Sequence, residues 1–268
     1  MFLVRLPTVL AVLFLLFSFS LHAQDENKDL AKKSQNPASN LTSLQLENDF
    51  NFPVGPTHDV QYELDLQLVL PVILGPVNLV HRLTLPIATQ AALIPEGSGA
   101  FGLGDIVFQM LISTSHSKRF FWGAGPMVIF PTATDSLLGQ GKFSLGPLLA
   151  FFSAQGPWVG GLLVNNVWST AGDESRPGVN QMQLQPSLNY NFKGGWFLTS
   201  TPTFSANWKS PEGSRWTLPL GGGGGRVFHV GKQPLNLSGQ IYYNALRPPG
   251  LGKISGCVTL QFLFPKKN

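Results

Sequence analysis

Between Trp158 and Trp208 apolar and polar residues alternate. Trp158, Gly160, Leu162, Val164, Asn166 and Trp168 share one parity, mostly apolar, with an indole at each end. Beyond a polar loop, Met182, Leu184, Leu188, Tyr190 and Phe192 alternate with Gln181, Gln183, Gln185, Ser187, Asn189 and Asn191. Beyond Lys193-Gly194-Gly195, Trp196, Leu198, Phe204 and Trp208 alternate with Thr199, Thr201, Thr203, Ser205 and Asn207. A period of two sends successive side chains to opposite faces of a strand, so each stretch predicts a strand with one apolar and one polar face. Nine further stretches read the same way: Ser43–Phe50, His58–Val72, Val77–Ala88, Ala100–Ser113, Arg119–Phe130, Lys142–Ser153, Ser214–Val230, Pro234–Asn244 and Lys253–Phe264. In the last, Ile254, Gly256, Val258, Leu260, Phe262 and Phe264 alternate with Ser255, Cys257, Thr259, Gln261 and Leu263. Its aromatic end suits a strand that closes a barrel and is read by assembly machinery, although Pro265-Lys266-Lys267-Asn268 follows it.

The tryptophans say what the apolar faces touch. Trp158 and Trp168 are ten residues apart, and Trp196 and Trp208 twelve. A strand rising ~3.3 Å per residue and tilted by ~40° covers roughly 25 Å in ten residues, the height of the apolar band of an outer-membrane barrel. Indole prefers the two interfaces of a bilayer, being an apolar ring with one N–H. A soluble β-sandwich gives no reason to set tryptophan at strand ends. Short connections at Leu74-Gly75-Pro76, His116-Ser117-Lys118, Ala154-Gln155-Gly156, Lys193-Gly194-Gly195 and Gly231-Lys232-Gln233 alternate with longer ones at Asn51–Thr57, Thr89–Gly99, Pro131–Gly141, Ser169–Gly178, Lys209–Gly213 and Ala245–Gly252. Trp122, Trp158 and Trp196 follow short turns, while Trp168, Trp208 and Trp216 border long loops, which makes two membrane-interface belts. The expected fold is all-β: a transmembrane antiparallel up-and-down β-barrel of about 12 strands, with short periplasmic turns and both termini periplasmic. Against it stand Pro71, Pro86, Pro126, Pro147, Pro186, Pro202 and Pro219, inside or at the edge of strands, and the run Gly221–Gly225. Proline cannot donate to a ladder, so bends or bulges are expected there.

Composition agrees. Charged residues make up 12% of the 268, against roughly 25% in soluble domains. No run of eighteen apolar residues beyond the N-terminus supplies a spanning helix to account for it. The pI near 9.3 does not imply nucleic acid, because the basic residues are dispersed over loops and ends. The single cysteine, Cys257, excludes an intrachain disulfide and reads as a small inward-facing residue. Residues 1–23 read as a signal peptide, with Arg5, an apolar core from Leu6 to Leu21 and a cleavage end at Leu21-His22-Ala23. Residues 24–42 are polar, with a helical turn or two around Leu30-Ala31 ended by Asn36-Pro37, and read as a periplasmic tether or a small plug. Residues 43–268 are left for the barrel.

Several stretches resemble the outer-membrane family named after the meta-pathway of phenol degradation, some of whose members carry the label neuromedin U. They are Gln35-Asn36-Pro37, Asn51-Phe52, Val54-Gly55-Pro56, Phe101-Gly102-Leu103-Gly104-Asp105, Trp122-Gly123-Ala124-Gly125-Pro126, Phe130–Leu138, Gly139-Gln140-Gly141-Lys142, Gly156-Pro157-Trp158, Trp168–Asp173, Leu184-Gln185-Pro186 and Phe262–Lys266, in the family's order. The resemblance implies an outer-membrane barrel that passes small, often aromatic or hydrophobic molecules, and carries over no catalytic residue.

Inward-facing charge gathers early in the chain, at Glu47, Asp49, Glu63, Asp65, Arg82 and Asp105. Pairing around Leu74-Gly75-Pro76 is expected to set Arg82 diagonal to Asp65, with Asp105 close by. Two readings stand: a salt-bridge network that braces the lumen, or a constriction that screens solutes by charge. The rest of the wall reads as neutral Gln, Asn, Ser and Thr, suiting uncharged or amphiphilic solutes. His58, His81, His116 and His229 lack a Ser or Asp partner in register, and no His/Cys/Asp cluster shows metal spacing, so neither an enzyme, a cofactor nor a metal is expected. The partners expected are outer-membrane lipid, the barrel-assembly machinery and a small solute, with no nucleic acid. The reading is a passive channel in the outer membrane of a Gram-negative envelope; a structural or adhesive barrel and a lipid hydrolase are the alternatives.

Overall fold

The strictly alternating last strand closes onto the first. In the computed structural model, which describes residues 24–54, 59–90, 99–114 and 120–266, strands β1 (Thr42–Val54) and β14 (Ile254–Phe264) pair antiparallel from Thr42↔Phe264 to Phe52↔Ile254. Between them run β2 (Asp59–Leu74), β3 (Val77–Gln90), β4 (Ala100–Leu103), β5 (Ile106–Thr114), β6 (Phe120–Phe130), β7 (Lys142–Gln155), β8 (Trp158–Gly172), β9 (Asn180–Asn191), β10 (Trp196–Ser200), β11 (Phe204–Asn207), β12 (Trp216–Val230) and β13 (Gln233–Leu246). Segments β4 and β5 continue one another along β3, and β10 and β11 continue one another between β9 and β12. The described segments therefore make a closed antiparallel barrel of twelve staves, each beside its sequence neighbours. The expected strands occur in order, several running past their expected ends: the first continues to Val54 and the seventh to Gly172. The signal-peptide stretch, the turn at His116-Ser117-Lys118 and most of the loop Thr89–Gly99 lie outside the described residues.

One parity of each stave points outward and stays apolar and exposed, as at Leu149, Phe151, Leu188, Leu198, Ile241 and Val258. A contiguous apolar surface of this extent is more than water-soluble monomers expose. No described helix is long and apolar enough to cross a membrane, which says nothing of crossing by strands.

Most of the prolines adjoin ladder breaks, but Pro71 sits in an unbroken β2–β3 ladder, and the glycine run does not break its ladder to β13. Gly221–Gly225 stay paired with β13 throughout, and the irregularity lies just before them, between Leu218 and Pro219. The ninth stave breaks at Thr201-Pro202-Thr203. There the ladder to β9 skips Gln185-Pro186-Ser187, so Pro202 stands opposite Pro186 and neither missing N–H leaves a partner unserved. On the other side, the β5–β6 ladder skips Met110 and Leu111 against Gly125 and Pro126, and the β7–β8 ladder skips Gly146 and Pro147 against Asn166 and Val167. Staves that are not hydrogen-bonded neighbours, β5 with β7 and β6 with β8, bring α-carbons within 8 Å on this side of the barrel. In a flat sheet two strand spacings come to about 9.5 Å, so the wall turns a corner here.

Residues 24–41 lie against the inner wall at the short-turn end. Helix α1 (Gln24–Ser34) buries Leu30 and Ala31 with Leu41 against the inward-facing Phe197, Val227 and Leu263. The side chains of Gln35 and Asn191 exchange two hydrogen bonds, of 3.0 and 2.9 Å, and Asn236 Nδ2 donates to Ser34 Oγ at 3.3 Å. Asn78 Nδ2 donates to the Ala38 carbonyl at 2.9 Å, so the chain after the helix is tied down as well.

Candidate functional site: the barrel interior

The inward parity differs around the barrel. From β9 through β14 it is Gln183, Gln185, Ser187, Asn189, Thr199, Thr217, Ser238, Gln240, Tyr242, Thr259 and Gln261, which line an interior cavity of about 630 Å³. From β3 to β8 it is mainly apolar: Val80, Leu111, Met127, Leu148, Ala150, Phe152, Leu163 and Val167 form one buried cluster. The expectation of a neutral polar wall thus holds for half the circumference and is corrected for the other. Phe152 and Leu163 of the apolar side also border the cavity, so its lining is two-faced.

The carboxylates meet on β1 and β2. Register sets Glu47 opposite Asp65 and Asp49 opposite Glu63, all inward, so four acids occupy neighbouring positions on one patch. Gln45 Nε2 donates to Glu47 Oε2, while Asp65 Oδ1 is buried with no hydrogen-bond partner. Arg82 is not diagonal to Asp65. The two-residue turn at Gly75-Pro76 joins Leu74 to Val77, which fixes Val69 opposite Arg82 and Asp65 opposite Pro86. The guanidinium instead donates to Gln67 Oε1 at 2.8 Å. Asp105 is further away still, at the break between β4 and β5. Its Oδ1 accepts from the Ala133 N–H at 3.1 Å and its Oδ2 from the Gln140 N–H at 2.7 Å. It pins the loop Pro131–Gly141 to the wall and does not join the charge cluster.

Barrel closure adds a neighbour that sequence spacing hides. Cys257 on β14 lies opposite Asp49, and ligand atoms of Glu47, Asp49 and Cys257 fall within 4.8 Å of one another. Cys257 Sγ is 3.6 Å from Glu47 Oε1 and 3.5 Å from Thr259 Oγ1. Two carboxylates and a thiol at this spacing could hold a divalent ion, a grouping the linear sequence does not display because the residues are about two hundred positions apart. A polar network missed in the sequence spans the glycine run: Thr201 N–H donates to Gln240 Oε1 at 3.2 Å and to Tyr242 Oη at 3.3 Å, and Tyr242 Oη–H donates to Gln240 Oε1 at 2.6 Å. Gly221 and Gly223, opposite Tyr242 and Gln240, leave the room those side chains lie across.

The tryptophans face outward at stave ends. Trp158 and Trp196 open β8 and β10, and Trp122 is the third residue of β6. Trp168 nears the end of β8; Trp208 and Trp216 pack edge to face with ring centres 5.5 Å apart, and Trp208 Nε1 donates to Asn166 Oδ1 at 2.9 Å. Outward-facing His81 meets the Leu70 carbonyl at 3.3 Å and stacks on Phe108. His58 and His116 lie outside the described residues.

No protein-family model matches the chain, and no curated protein matches it in sequence, so the likeness to the meta-pathway family remains one of motifs. Solved structures do match. The COG4313 outer membrane channel from Pseudomonas putida F1 superposes with a TM-score of 0.65 at 14% identity, over 84% of this chain and 96% of that one. The NanC porin matches with a TM-score of 0.53 at 8% identity, over 83% of this chain and all of that one (100%). At these identities the likeness establishes the architecture, a closed antiparallel barrel like those of outer-membrane channels.

Proposed function

We propose that the protein is an outer-membrane channel for passive movement of small, uncharged, hydrophobic or aromatic solutes. One observation carries the reading: a closed barrel with an apolar outer face encloses a cavity lined by amides and hydroxyls, by Glu47, Asp49, Glu63 and Arg82, and, at the edge of the packed apolar side, by Phe152 and Leu163. An apolar ring carrying one hydroxyl or amide would find a matching surface on each side. In this reading residues 1–23 direct export, the short turns and both termini face the periplasm, and the two rows of tryptophan sit at the interfaces. Residues 24–42 act as a plug that narrows the short-turn mouth. The patch of Glu47, Asp49, Glu63 and Asp65 screens solutes by repelling anions.

Reconstitution tests it. Refolded protein in planar bilayers is expected to conduct, to lose its preference for cations when Glu47→Gln and Asp49→Asn are combined, and in vesicles to pass phenolic solutes faster than sugars of similar mass. A barrel that inserts without conductance or uptake would be a structural one, and fatty acid released from the same vesicles would make it a hydrolase.

A further inference from the structure

At the short-turn mouth the plug has a second space on its other side, a vestibule of about 830 Å³. Residues 34–41 separate it from the central cavity: Ser34, Gln35 and Pro37 border the one, and Asn36, Ala38 and Ser39 the other. Ile73 and Phe121 give it an apolar wall. Ile73 lies directly opposite Asn78 on the inward face and is still 43% exposed, and Phe121 packs against the buried apolar cluster. Lys32 and Lys33 of α1 and Lys266 after β14 line the same space, against one carboxylate, Asp29. Asn78 is 4% exposed; its Nδ2 donates to the Ala38 carbonyl, and its Oδ1 is buried with no hydrogen-bond partner. A buried acceptor left open in this way calls for a donor from whatever occupies the space.

We propose that this vestibule binds a small monocarboxylate with an apolar body, its carboxylate among Lys32, Lys33 and Lys266 and its hydrocarbon on Ile73 and Phe121. A concave space with apolar walls and a surplus of one sign of charge concentrates counter-ions, and an apolar body adds burial that an inorganic anion lacks. The volume is that of a small-molecule site rather than a seat for a folded partner. The inward parity of Ile73 and Asn78 keeps the site off the outer face, so a phospholipid is not its occupant. Glu47, Asp49 and Glu63 border the central cavity, beyond the plug, so an anion reaches the vestibule from the short-turn side without passing them. The site depends on the plug's place in the mouth and not on conduction through the lumen.

Titration of the full chain, isotope-labelled at its isoleucine methyls and held in nanodiscs of zwitterionic phospholipid, decides it by NMR. Ile73→Val assigns the resonance, and heat-modifiable gel mobility confirms that each variant is folded. Benzoate is the probe, because its ring current moves the methyl of a contacting isoleucine. The Ile73 resonance is expected to shift along a saturating curve. With Lys32→Gln and Lys33→Gln combined, half-saturation is expected to need about tenfold more benzoate, about threefold for each ion pair lost, and with arginine at both positions no more than in wild type. Neutral benzamide, which keeps the ring, and acetate, which keeps the charge, are each expected to need about tenfold more than benzoate. An Ile73 resonance that stays still, an equal response to benzamide or to acetate, or a double glutamine variant that binds as wild type does, overturns the proposal. Conductance without benzoate binding would sink this site and leave the channel reading standing, and binding without conductance would do the reverse.

Discussion

Leu148 and Leu149 are adjacent on β7 and face opposite ways, which makes them a controlled pair. Leu148 is inward, 1% exposed and part of the apolar cluster; Leu149 is outward and 40% exposed in the isolated barrel. Truncating either leucine to alanine removes three carbons, about 2 kcal/mol of transfer from an apolar site to water. Facing fluid hydrocarbon, Leu149→Ala leaves no void, since acyl chains flow into it, and its cost stays near ~2 kcal/mol. Leu148 is surrounded by fixed side chains, so Leu148→Ala adds a cavity of the kind that costs about 24 cal/mol per Å³, or roughly 1–2 kcal/mol, for a total of ~3–4 kcal/mol. Were the inner wall instead wetted by the lumen, water would fill the space and Leu148→Ala would cost well under ~1 kcal/mol. Guanidinium unfolding of the two variants in phospholipid vesicles, followed by tryptophan fluorescence with the slope held common, gives the difference directly. A cost for Leu148→Ala equal to or below that for Leu149→Ala would refute the view that half of this lumen is a packed core.

Three further outcomes follow from geometry. A Cβ on Gly146 would lie 1.7 Å from the Asn166 carbonyl oxygen, so Gly146→Ala is expected to fail to refold, whereas Gly239→Ala refolds fully; heat-modifiable gel mobility reads both. Asp105→Ala removes the acceptor of two backbone N–H groups, each worth about 1.5–3 kcal/mol to a charged partner. It should make the loop Pro131–Gly141 the first site of protease cleavage while leaving the rest of the barrel intact. Asn191→Ala removes both hydrogen bonds to Gln35, about 1 kcal/mol each, and hydrogen exchange is expected to quicken along α1 and not along β9.

What could be read in the sequence is the part fixed by the outer face. Every stave must present apolar residues outward, so wherever the inner parity is polar the alternation is plain, as in Gln181 to Phe192 or Ile254 to Phe264. On β6 and β7 the inner parity is apolar too. Leu148-Leu149-Ala150-Phe151-Phe152 shows no period, and such a run marks a strand without saying that its second face meets other strands. That is why the apolar half of the interior was not foreseen. The acidic patch was readable because parity alone turns its four members inward, whereas the Arg82–Asp65 diagonal was not, since a register shift of two places keeps parity yet makes Arg82 diagonal to Gln67 instead of Asp65. Cys257 joins Glu47 and Asp49 only through the closing seam, a contact between the two ends of the chain that no local pattern contains.

The ladder defects between β5 and β6 and between β7 and β8 share a cause with the apolar half of the interior. Gly125 and Gly146 are inward positions where the neighbouring strand's carbonyl folds over the backbone; a Cβ there would lie 1.8 Å from the Met110 oxygen and 1.7 Å from that of Asn166. The residues that follow, Pro126 and Pro147, face each other across the β6–β7 pair and have no N–H to leave unpaired when the outer ladders let go. Glycine permits the close approach and proline tolerates the lost bond, so the wall can turn sharply at β6 and β7. The turn brings β5 toward β7 and β6 toward β8, and inward side chains that would stand apart on a gently curved wall, among them Leu111, Met127, Leu148 and Leu163, come into contact. Their mutual burial repays the broken ladder bonds, and it requires those side chains to be apolar. On the opposite arc β12 and β13 keep their ladder through the whole glycine run, the inward side chains border the cavity, and amides and hydroxyls are what water can satisfy there. The sharp turn at β6 and β7 thus sets the packed arc apart, while the break of the ninth stave at Thr201-Pro202-Thr203 leaves its inward side chains facing the cavity.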